Sequence, residues 1–210
     1  MKHLAALLLL LVVGCSRAVT PPLSIKVAHE VPPIRTIAVV PASASPAMGG
    51  DGAAQAPPVL SRLLAEAVAR EGSWKIAAAE RVKSVLGALP ADSPETRAGA
   101  VAKRVGADAA ITATVIEFRE RQGSDYGVSE PASVALQVLL VPAGAQQAAW
   151  RADYSYTQEP LAYNLWNFWG VLRGGAKWLT AEEIAQIGVE EAVRRLAALA
   201  PTTSTAKPKP

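Results

Sequence analysis

The sequence predicts an α/β domain (α+β in layout) on a single mixed sheet: β-α-β-α-α-β, then an antiparallel meander, then C-terminal helices. Three observations predict it. From residue 34 to 106, short β-branched runs alternate with apolar stripes at helical spacing. From 108 to 156, three β-rich runs follow one another with only polar turns between them, so neighbours in sequence pair in space. Near the C-terminus, Thr180-Ala-Glu-Glu183 supplies a capping box ahead of a further apolar stripe.

The chain opens with Lys2 and His3, then an unbroken apolar run over 4–13 that ends in Val12-Val13-Gly14-Cys15. A charged start, a short apolar middle and a small final residue make a secretory signal peptide over 1–14. The run is about half of the ~20 residues that span a bilayer as a helix, too short for a permanent transmembrane anchor. Cys15 is the only cysteine among the 210 residues, so it closes no internal disulfide even in an oxidising compartment. Val12-Val13-Gly14-Cys15 resembles the lipobox of bacterial lipoproteins, in which the signal is cut before the cysteine and the thiol is lipidated. That resemblance implies cleavage between Gly14 and Cys15, and a mature chain held to a membrane by lipid on Cys15. The lipid would be a diacylglyceryl thioether, usually with a further chain such as palmitate on the amine. At ~0.8 kcal/mol per buried methylene, one chain anchors marginally and two or three hold firmly. By resemblance to enterobacterial lipoprotein sorting, in which Asp at this place keeps a lipoprotein in the inner membrane, Ser16 favours an outer-membrane address with the domain in the periplasm.

Residues 15–33 carry proline pairs at Pro21-Pro22 and Pro32-Pro33 and show neither strand nor helix periodicity. They read as a stiff linker that would reach roughly 50 Å at ~3.1 Å per residue. The domain is expected over 34–200. Thr36-Ile-Ala-Val-Val40 is a buried strand ended by Pro41. Residues 42–58 read as a long loop. Its Gly49-Gly50-Asp51-Gly52 lacks both the lysine and hydroxyl of a phosphate loop and the G-x-G-x-x-G spacing.

Leu60, Leu63, Leu64, Ala67 and Val68 then stripe a helix ending near Gly72. A short strand over 74–78 leads to a helix lined by Val82, Val85, Leu86 and Leu89 and closed by Pro90. Ser93-Pro94-Glu95 provides an N-cap, a proline at the first helical position and an acidic first turn. Ala98, Val101, Ala102 and Val105 line that helix, and Gly106 sits where it should stop.

The three runs of the meander are 108–119, 133–141 and 147–156. In the last, Trp150, Ala152, Tyr154 and Tyr156 alternate with Arg151, Asp153 and Ser155, which buries one face and solvates the other. Residues 163–178 hold the densest aromatic cluster: Tyr163, Trp166, Phe168, Trp169 and Trp178. Tyr163 with Trp166, and Trp166 with Trp169, are three apart and share a helical face. Two uses compete for them, core packing and contact with a partner or a membrane surface. Val189, Ala192, Val193, Leu196 and Leu199 stripe the last helix, and 201–210 is a polar, Pro-rich tail of disordered type.

Hydrophobic residues make up 50 % of the chain but aromatics only 5 %, so the core is built of Ala, Val and Leu with a few large anchors. The net charge of +3 comes without a basic cluster interleaved with aromatics, so no nucleic-acid partner is expected. Of the two histidines, His3 lies in the signal peptide and His29 in the linker. The domain therefore has no His and no Cys, which excludes Ser-His-Asp and Cys-His catalysis and His- or Cys-based zinc sites. No cofactor, metal site or catalytic residue is expected. Glu117, Glu120, Asp125 and Glu130 are the only acids clustered near a turn, and their interleaving with Arg119 and Arg121 reads as a salt-bridged surface.

A lipobox and leash, Ile37-Ala-Val-Val-Pro41, a helical segment and Gly106-Ala-Asp108 entering a strand come in that order. With Pro131-Ala-Ser133 opening the next strand and Trp150 in the third, the pattern over about 34–199 resembles a group of small bacterial lipoproteins. Their domain is like the N-terminal domain of the Tol-Pal periplasmic protein. It is shared by the curli-export lipoprotein and by the lipoprotein that activates a penicillin-binding protein. The resemblance implies a non-catalytic adaptor or assembly factor that binds an envelope protein, with assembly of its own copies as a further option. The competing readings are an oligomeric export or secretion component and a carboxylate-dependent envelope hydrolase. The turns here are too short for the membrane hairpins of the curli-export pore.

Overall fold

The computed structural model describes residues 23–49, 52–90, 92–125, 127–158 and 178–200. Seven strands form one mixed sheet: Leu23–Val27 (β1), Thr36–Val39 (β2), Ser43–Ala44 (β3), Lys75–Ile76 (β4), Ala109–Arg119 (β5), Ser133–Pro142 (β8) and Trp150–Thr157 (β9). The order across the sheet is β1-β9-β8-β5-β2-β4, with β3 pairing β5 beyond the end of β2. β2 runs parallel to β4 and β5, whereas β5, β8, β9 and β1 are antiparallel neighbours. Gln122–Gly123 (β6) and Val128–Glu130 (β7) make a small separate hairpin inside the expected turn over 120–131.

Helices cover both faces, for a reason visible in β8. Its Val-Ala-Leu-Gln-Val-Leu-Leu-Val run is apolar on both sides, so one face cannot be left to water. Gly52–Glu71 (α1) and Ala181–Leu199 (α4) pack on one side, where Ile111, Ala113, Val138, Leu140 and Trp150 meet Leu60, Leu64, Ile184 and Leu196. Ala79–Gly87 (α2) and Pro94–Val105 (α3) pack on the other, where Ala38, Val40, Ala110, Leu139 and Val141 meet Val82, Val101 and Ala102. The supposedly solvated face of β9 is thereby partly covered: Arg151 reaches Glu95 of α3 at 2.8 Å.

The predicted caps form. Ser93 Oγ accepts the Thr96 N–H at 3.1 Å with Pro94 behind it, and Thr180 and Glu183 make the reciprocal capping box. Gly106 takes φ 76° at the end of α3, a conformation that costs a side-chain-bearing residue strain. Two residues on, the Asp108 carboxylate accepts the N–H groups of Arg35 at 2.9 Å and Thr36 at 2.8 Å, which locks β2 beside β5.

Two expectations are corrected. The linker over 15–33 is not featureless, because Leu23–Val27 pairs with β9 as an edge strand. Its Leu23, Ile25 and Val27 alternate with Ser24 and Lys26, and Leu23 and Ile25 pack on the core. The loop over 42–58 is also shorter than expected, since α1 begins at Gly52 and holds Pro57 and Pro58 inside it. Those prolines offer no N–H to the preceding turn. The turn stays helical around buried Ala56, and Ser61 Oγ ties it down by donating to Pro57 O at 2.7 Å and accepting the Ala42 N–H at 2.8 Å.

α4 sits close on β9 because Gly188 makes room for Tyr154. A Cβ at Gly188 would lie 2.5 Å from Tyr154 Cδ1. Burial pushes the Tyr154 phenol well above its ordinary value of 10.0, with the neighbouring Tyr156 adding to the rise. The folded state thus holds the neutral phenol, and its stability is complete below pH 10.0. As pH climbs past that value the unfolded chain ionises first, so stability falls until the folded phenol also ionises. Tyr154→Phe should flatten this alkaline loss in denaturant titrations above pH 10.0, and an unchanged slope would refute the assignment. Trp150 is 0 % exposed between β9 and the α1–α4 layer. Trp150→Ala should therefore cost ~3–5 kcal/mol of unfolding free energy. A loss below about 1 kcal/mol would contradict that packing.

Candidate protein-contact end of the sheet

One end of the sheet brings together several polar groups and half-buried Trp178. There β5 and β9 finish while β8 and β1 begin, with Arg119 and Thr157 both in register with Ser133, and Leu23 opposite Tyr154. Ser133 Oγ and Thr157 Oγ1 lie 2.6 Å apart across the β8–β9 pair. The β6–β7 hairpin projects from this end. Gln158 N–H donates to Ala132 O at 3.4 Å, Gln158 Oε1 accepts the Leu179 N–H at 2.7 Å, and Trp178 N–H donates to Asp125 O at 2.8 Å. The residues flanking 159–177 are thereby tied to each other and to the hairpin. Of the aromatic cluster, half-buried Trp178 is held here, while Tyr163, Trp166, Phe168 and Trp169 lie outside the described residues, as do Gly14 and Cys15.

The acids of this end have identifiable jobs. Arg119 reaches Glu117 at 3.7 Å and Glu130 at 3.8 Å, and Arg121 pairs with Asp125. Glu120 turns both carboxylate oxygens to the Ala181 N–H, at 3.1 and 3.3 Å. That places negative charge at the α4 N-terminus, where unpaired N–H groups and the helix dipole favour it. Solvated ion pairs of this kind contribute ~0–1 kcal/mol each and make no cleft with two facing acids. Farther along, Arg62 pairs with Glu182 and Arg70 with Glu190, stitching α1 to α4. Burial pushes the Glu190 carboxyl up, but hydrogen bonds from Gln186 and Arg70 outweigh it and hold the group below its ordinary range. Among the described residues, no three or more His, Cys, Asp or Glu side chains are grouped to hold a metal, and no helix is long and apolar enough to cross a membrane.

Two surfaces escaped the sequence reading. Ile116 is 43 % exposed because a bulge between Val115 and Glu117 turns it out of the ladder, beside an open depression lined by Met48, Gly52 and Phe118. The adjacent apolar pair Val115-Ile116, after the alternation from Ile111 to Val115, was the available signal. The second is the outer edge of β1. It pairs with no strand among the described residues, and its Val27 is 54 % exposed.

No protein-family model matches the chain, and no curated protein matches it in sequence. Among solved structures it is similar to a PelC dodecamer from Paraburkholderia phytofirmans, at 14 % identity and TM-score 0.49, over 85 % of this chain and 96 % of that one. It is also similar to lipoprotein GNA1162 from Neisseria meningitidis, at 19 % identity and TM-score 0.38, over 66 % and 91 % of the two chains. The LpoB C-terminal domain from Escherichia coli matches at 20 % identity and TM-score 0.40, over 59 % and 83 %.

The Glu120 contact gives this end a direct test. Glu120→Ala should destabilise the domain by ~0.5–2 kcal/mol, as loss of an N-terminal cap does. Hydrogen exchange should quicken first at the opening turn of α4. Uniform acceleration over the whole domain would mean that Glu120 acts elsewhere.

Proposed function

We propose that the protein is a cell-envelope lipoprotein, anchored in the outer membrane through Cys15, whose periplasmic domain binds another envelope protein and performs no catalysis of its own. The observation that supports this reading is that β1 begins at the same end of the sheet where the residues flanking 159–177 are held. Cys15 precedes Leu23 by eight residues, about 25 Å at ~3.1 Å per residue. Leu23 enters the sheet at the end where Gln158, Trp178 and the β6–β7 hairpin meet. On this reading a lipid on Cys15 keeps that end close to the membrane, and Tyr163, Trp166, Phe168, Trp169 and Trp178 serve the contact there. Trp and Tyr suit it because they concentrate binding energy and tolerate one apolar and one wet side. The engaged state of Glu117, Glu120, Asp125 and Glu130 favours binding over carboxylate chemistry.

Two measurements test the proposal. Cys15→Ala should abolish incorporation of a fatty-acid analogue and leave an uncleaved precursor, and equal labelling of both proteins would end the lipoprotein reading. In single-Trp variants of the chain, acrylamide should quench Trp166 or Trp169 efficiently. If both are shielded in the monomer, the stretch is core and the contact lies elsewhere.

A further inference from the structure

We propose that the outer edge of β1 is a self-pairing surface, on which a second copy of this chain adds its own β1 antiparallel, centred on Ile25. This rests on the reading that the domain works by protein contact and on nothing in the lipid anchor. The ladder shows which groups no strand among the described residues uses. Ala28 N–H donates to Ala149 O at 3.0 Å and continues the register that sets Leu23 opposite Tyr154 and Val27 opposite Trp150. Inward-bonding residues alternate along an antiparallel pair. Ser24 and Lys26 therefore bond to β9, and the N–H and C=O groups of Leu23, Ile25 and Val27 point outward.

Such an edge is normally blunted by shortness, proline, charge or a bulge. The opposite edge of this sheet follows that rule, since β4 has only two residues and begins with exposed Lys75. β1 has five residues, no proline, an unbroken register and Lys26 as its only charge.

A second copy fits because the five residues are complementary to themselves. Centred on Ile25, Leu23 faces the partner's Val27, Ile25 faces the partner's Ile25, and Lys26 faces the partner's Ser24. Every outward group then meets an outward group, in about six hydrogen bonds. Val27 gains an apolar neighbour, and no like charges stand directly opposite each other. Sliding the copy by two residues in one direction sets Lys26 against the partner's Lys26. Sliding it the other way carries Val27 towards Pro21, which has no N–H to give. Pairing β1 with the partner's β4 instead would engage only two residues of β4 and would not close on itself.

The test uses the full-length chain in its native membranes. Hydrogen-bonded pairs place Cα atoms about 5.5 Å apart, within reach of a disulfide. Ile25→Cys should therefore give, under mild oxidation, a linked species of twice the chain's mass, at least tenfold more than Lys75→Cys on the far edge. Val27→Pro removes an outward N–H that β9 does not use. Added to Ile25→Cys, it should cut the linked species at least tenfold with the melting temperature unchanged. If it lowers the melting temperature, Val27→Asp takes its place in the same comparison. No excess over Lys75→Cys, insensitivity to both Val27 variants, or a linked species containing a different protein would each overturn the pairing. A linked dimer from the unsubstituted chain would count against lipid on Cys15 and not against the edge, so the two readings fail separately.

Discussion

β5 bonds in parallel to β2 and β3 on one side and antiparallel to β8 on the other, so it joins two halves built on different rules. On its β2 side the strands are connected through helices, and on its β8 side they follow one another through turns. The junction is fixed at its first residues. Gly106 ends α3, and Asp108 takes the Arg35 and Thr36 N–H groups on its carboxylate while its own N–H donates to Thr36 O at 2.9 Å. With that register set, Ala109, Ile111 and Ala113 must face α1 and α4, and Ala110 must face α2 and α3. A slip of one residue would exchange the two faces of every strand downstream. The position of β9, and through it of β1, follows from this lock.

What was legible in the sequence was local. Ser93, Gly106 and Thr180 act within a few residues of themselves, and the burial of Trp150 follows from its alternation with Arg151 and Asp153. What was missed depends on distant partners. The alternation of Leu23, Ile25 and Val27 is only five residues long and lies between proline pairs, and β9, which makes it a strand, comes more than a hundred residues later. Pro57 and Pro58 marked the end of a loop by composition, yet Ser61 and buried Ala56 hold the turn ahead of them helical. The cover on the second face could have been read from β8, whose apolar run is too continuous for a half-solvated strand. At the candidate site, the acids and their arginines were legible as ion pairs, but the role of Glu120 at α4 was not, because Ala181 lies 61 residues away.

The gathering of groups at one end of the sheet follows from strand direction. An odd number of antiparallel steps from β5 brings β8 in where β5 ends, and a second step sends β9 out at that same end. β1, antiparallel to β9, must then enter there. Leu23 at the start of β1 and Gln158 just after β9 therefore share an end without any contact between them being required. Strand direction puts Leu23 and Gln158 on one side of the domain, and hydrogen bonds to Asp125 and Gln158 hold Trp178 and Leu179 there.

The same geometry bears on the proposed anchor. On that proposal, a featureless linker over 15–33 would let the domain range roughly 50 Å from a lipid on Cys15. With β1 in the sheet, eight residues separate Cys15 from Leu23, about 25 Å at ~3.1 Å per residue. On the proposed pairing about Ile25, Leu23 and the partner's Leu23 stand at opposite ends of β1, ~13 Å apart at 3.3 Å per residue. That separation is shorter than the about 25 Å that each proposed tether would span. A single acyl chain holds only marginally, and two or more hold firmly. A paired edge would double the lipids on one assembly, and release of one tether would leave the other at high local concentration beside the bilayer. Membrane residence and strand pairing would then reinforce each other, since each raises the effective concentration that the other needs.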